Sequence, residues 1–111
     1  MVNGKDILKL SNIEFDFLHE KIDNLLQDKN IKDEVVLNFV ERMDQNIYGG
    51  GLILLDIDKF FKFSPASLLI FINLVKEATD QIVTSVQYRI GFPEAMNDFI
   101  HELEIYYDKV K

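Results

Sequence analysis

Ser64-Pro65-Ala66-Ser67-Leu68-Leu69-Ile70-Phe71-Ile72-Asn73-Leu74-Val75 is the stretch on which the reading of the fold turns. Ser64 is a good N-cap and Pro65 sits at the first helical position, where its missing N–H leaves no bond unmade. Leu68, Phe71, Ile72, Val75, Ile82 and Val86 then keep to one helical face for nearly six turns. Ile70 and Leu74 carry apolar character onto the other sides. A helix apolar on several sides is packed on several sides. The spacing therefore predicts a central helix with other helices around it.

Downstream, Gly91-Phe92-Pro93 breaks the chain and Pro93-Glu94 opens a last helix. Met96, Phe99, Ile100, Leu103, Tyr107 and Val110 form its apolar stripe. Upstream, Ser11-Asn12-Ile13-Glu14 is a capping box, and Leu18, Ile22, Leu25 and Leu26 follow it on one face. Ile7, Leu8 and Leu10 form a lead-in, helical or extended. After the polar Gln27–Asn30, a second helix carries Val36, Phe39, Val40, Met43 and Ile47, and Gly49-Gly50-Gly51 stops it.

Leu52-Ile53-Leu54-Leu55 is too short to distinguish a buried strand from a helical turn, and Asp56 is a candidate cap for a short helix through Phe61. Ile82–Ile90 is rich in β-branched residues. The expected fold class is all-α, a compact bundle of about four main helices in a single domain spanning 1–111. The alternative is α+β, with a short strand pair at 52–57 and 82–90.

The chain has 111 residues, 48% hydrophobic and 28% charged, which suits one globular core rather than a disordered tail. With no Cys, disulfides, thiol catalysis and Cys-ligated metals are excluded. Met1-Val2-Asn3-Gly4-Lys5-Asp6 has no apolar signal region, and the longest apolar run, Leu68–Ile72, falls far short of a membrane span. The expectation is a cytoplasmic protein.

The net charge is −7, with ten acids against six bases in residues 1–48 and five against two in 93–111. Such a surface repels phosphate, so neither nucleic acid nor an anionic membrane is an expected partner; a basic protein is. Asp16, Glu20 and Asp23 fall at i, i+4 and i+7 on the first helix, and Glu94, Asp98 and Glu102 at i, i+4 and i+8 on the last. Like charges at i, i+4 cost a few tenths of a kcal/mol each. Ordinary solvated faces look the same, but two such stripes favour a docking role. Tyr106, at the border of the last helix beside Glu102, is a candidate contact of the kind common in binding hot spots.

No catalytic residue, metal ligand or cofactor is expected. Gly49-Gly50-Gly51 lacks a phosphate-loop pattern, and His19 and His101, both read as exposed, lack a second His at zinc spacing. Leu52–Phe61 resembles the metal-binding strand of diguanylate cyclases, which implies a divalent ion at Asp56 and Asp58. The Gly-Gly-Asp/Glu-Glu-Phe signature of those enzymes is missing, and Lys62-Phe63-Ser64-Pro65 replaces the residues that should follow. A capping Asp56 and a surface Asp58 are the better reading.

At the level of class, the chain resembles the small acidic immunity proteins that bacteria pair with nuclease and contact-dependent inhibition toxins. Asp98, Glu102, Glu104, Tyr106 and Tyr107 echo the acidic-helix and Tyr-Tyr pattern of the colicin-type members, while the His-Pro and Asp-Leu-Ile elements are missing. The composition, rich in Lys, Ile, Asn and Asp, looks bacterial. The resemblance implies an inhibitor that occludes a basic partner, a cognate toxin, through acidic helix faces. The alternative is a structural or oligomerising helical adaptor, to which Leu37 and Ile105, apolar positions off the main stripes, would belong.

Overall fold

A computed structural model gives the architecture of residues 7–42, 47–48, 52–56, 63–85 and 91–111. The order of elements is β1 (Ile7–Ser11), α1 (Asn12–Asp28), α2 (Glu34–Glu41), β2 (Ile47–Tyr48), β3 (Leu52–Asp56), α3 (Pro65–Ser85) and α4 (Phe92–Val110). The four expected helices are all present and supply the core. A small antiparallel sheet, in the order β1-β3-β2, accompanies them.

α3 is the hub. α1, α2 and α4 all pack against it, while α1 and α4 make little contact with one another. Leu68, Phe71, Ile72, Leu74, Val75, Ala78 and Ile82 of α3 are buried, the pattern expected of a helix enclosed on several sides. Ser64 caps its start as the sequence predicts, its Oγ accepting from the Ser67 N–H at 3.2 Å. Phe39 of α2, Phe63 and Phe71 form an edge-to-face cluster with centroids 5.2–5.9 Å apart.

α1 begins at Asn12, directly after Ser11, where the capping box places it, and Glu14 in its first turn is buried. Its stripe of Leu18, Ile22, Leu25 and Leu26 is buried and is joined by Phe15. The helix ends in a Schellman motif: Asn30 N–H donates to Gln27 C=O and Ile31 N–H to Leu26 C=O. That closure requires left-handed backbone at Asn30, whose φ is +53°.

The structure corrects or decides several details of the sequence reading. α2 stops at Glu41, so Ile47 belongs to β2 instead of the second helix; Met43 lies outside the described residues. β3 confirms a strand at 52–56, but its partners are β1, with Ile7 opposite Asp56 and Ser11 opposite Leu52, and β2. Residues 82–85 are the last turn of α3, so the proposed pairing of 52–57 with 82–90 is not formed there; 57 and 86–90 lie outside the described residues, as do Asp58 and Gly49–Gly51. Burial explains the choice at Ile82, which at 1% exposure continues the inner stripe of α3. Finally, Val110 is exposed at the C-terminal end of α4, while Phe92, Met96, Phe99, Ile100 and Leu103 carry that helix's core face. Among the described residues, no helix is long and apolar enough to cross a membrane.

Candidate functional site

The inward face of α1 dictates its outward one. With Phe15, Leu18, Ile22, Leu25 and Leu26 against α3, positions 13, 16, 20 and 23 turn to solvent. Asp16 and Glu20 are exposed and, among the described residues, have no ion-pair partner. Asp23 is half-exposed, with His19 Nε2 at 3.7 Å. Ile13 stands three residues before Asp16 on the same side and is 67% exposed, the most exposed large apolar residue among those described. α1 thus presents three carboxylates in a row with an apolar side chain at one end.

α4 repeats the arrangement less cleanly. Glu94 and Asp98 are exposed, Glu102 is half-buried, and Ile105 emerges among them at 36% exposure. Lys109, four residues beyond Ile105, and His101 lie along the same outward side. Tyr106 is half-buried and packs against the core, at the border position expected of it; Tyr107 packs similarly. Because α1 and α4 share α3 as neighbour and barely touch, their stripes are two separate faces and not one patch.

The ion pairs that fasten these helices use other acids. Lys29 of the α1 end pairs with Glu77 at 3.0 Å, and Lys76 pairs with Glu104 of α4 at 2.9 Å. Adjacent residues of α3 therefore tie it to both flanking helices, while Asp16, Glu20, Glu94 and Asp98 are exposed. Exposed pairs of this kind contribute only ~0–1 kcal/mol.

The two histidines sit in different settings. His19, expected to be exposed, is partly buried against Phe15 and donates from Nε2 to the Val40 carbonyl at 2.7 Å. That carbonyl lies in the last turn of α2, where backbone acceptors outnumber the helix's own donors. His19 is thus a helix-to-helix link. His101 is exposed, as expected, and lines a shallow cleft of about 420 Å³ between α3 and α4 with Lys76, Thr79, Asp80, Asn97 and Glu104. Among the described residues, no group of three or more His, Asp or Glu is disposed to hold a metal ion, and no buried side-chain polar atom lacks a partner.

One polar centre went unread in the sequence. Asp33 caps α2, accepting from the Val36 N–H at 3.1 Å, and its other oxygen accepts from the Ser67 hydroxyl at 2.6 Å. Ser64 in turn donates to Ser67 Oγ at 3.0 Å. The carboxylate so joins the N-termini of α2 and α3, both favourable places for negative charge. The Ser67 hydroxyl and the Val36 and Val35 amides hold its carboxyl below the ordinary 3.8, against an opposing effect of burial. An Asp directly ahead of an apolar helical stripe is the signal that marks it.

Comparison of the chain with protein-family models, with curated proteins and with solved structures gives no match.

Proposed function

We propose that this protein is a protein-binding inhibitor of the toxin-neutralising kind, which docks on a basic partner through an acidic helix face. The observation that carries the reading is the outward face of α1, where Asp16, Glu20 and Asp23 line up beside an exposed Ile13 and, among the described residues, no Lys or Arg pairs with them. A row of carboxylates on a protein of net charge −7 steers a cationic surface in and speeds encounter at low salt. Ile13 then supplies what charge alone does not, an apolar anchor that holds the partner once water is excluded. The α4 face, with Glu94, Asp98, Glu102 and Tyr106, is the second contact region; its Lys109 makes it the weaker attractor.

The test is to express the tagged protein together with its native neighbouring genes and to recover what copurifies at low salt, with a high-salt wash as control. One basic partner, retained at low salt and released at high salt, is the expected result, and its toxicity in the absence of this protein completes the case. A partner held equally well at both salt concentrations sinks the electrostatic docking. Recovery of the protein alone, as a dimer or larger species, assigns it to the structural adaptors instead.

A further inference from the structure

We draw no further inference here: the strongest candidate, the α3–α4 cleft lined by Lys76, Thr79, Asp80, Asn97, His101 and Glu104, has Lys76 engaged by Glu104 and Thr79 bonded to the Val75 carbonyl, so nothing in it selects a ligand.

Discussion

Asp33 holds two helix starts with one carboxylate, and both bonds end together if it is removed. Asp33→Ala is expected to cost about 2 kcal/mol, from a lost cap and a Ser67 hydroxyl deprived of its acceptor. Urea unfolding at neutral pH measures it. Asp33→Asn keeps a capping oxygen but not the charge, which separates the two contributions. The folded-state pKa lies below the unfolded one. The charge-dependent stability is therefore fully present above the unfolded value near 4 and lost as pH falls through the folded value. Wild type should exceed Asp33→Asn in stability at pH 6, and the gap should close toward pH 2; a gap constant with pH would remove the carboxylate's charge from the account. Asn30 gives a second residue-level test. At φ +53°, Asn30→Gly should be neutral or slightly stabilising, while Asn30→Ala should lose about 1 kcal/mol in the same assay.

Among the elements, α3 has the most to lose. Phe71 is fully buried and meets Phe39 and Phe63 edge-on, so Phe71→Ala should cost about 3–5 kcal/mol, a large part of the ~5–15 kcal/mol that holds a domain of this size. Lys76→Ala, on the exposed side of the same helix, should cost less than about 1 kcal/mol. Thermal unfolding of the two variants side by side decides whether α3 acts through its core or through its ion pairs. The helices were legible because their signals are local: Ser64-Pro65 and the apolar period of α3 lie within one stretch of chain. The sheet was not, because β1 pairs with β3 across the whole of α1 and α2, and five apolar-rich residues do not announce a distant partner. The same limit hid His19, whose acceptor is a backbone carbonyl on another helix. Asp16, Glu20 and Asp23 were readable as outward-facing from period alone. Ile13 falls on the same side by the same arithmetic, opposite the core, but its place inside the capping box carries no signal of an exposed apolar contact.

At the scale of the molecule, with its net charge of −7, one substitution on the α1 face separates docking from folding stability. Glu20 sits four residues after Asp16 and three before Asp23, so in the wild type it repels both. Glu20→Lys converts both repulsions into attractions, with Asp16 N-terminal to the new Lys in the favoured orientation, and should raise stability by about 0.5–1 kcal/mol. The same change moves the net charge from −7 to −5 and places a cation in the middle of the docking face. Association with a basic partner should then slow about tenfold at low salt, and the difference from wild type should shrink as ionic strength shortens the Debye length below ~10 Å. A variant that is more stable but binds more slowly cannot owe its defect to unfolding. Stopped-flow or surface-binding kinetics at two salt concentrations, paired with a melting curve, gives both readouts. Unchanged association by a stabilised Glu20→Lys protein would take α1 out of the interface and leave the α4 stripe as the face to mutate next.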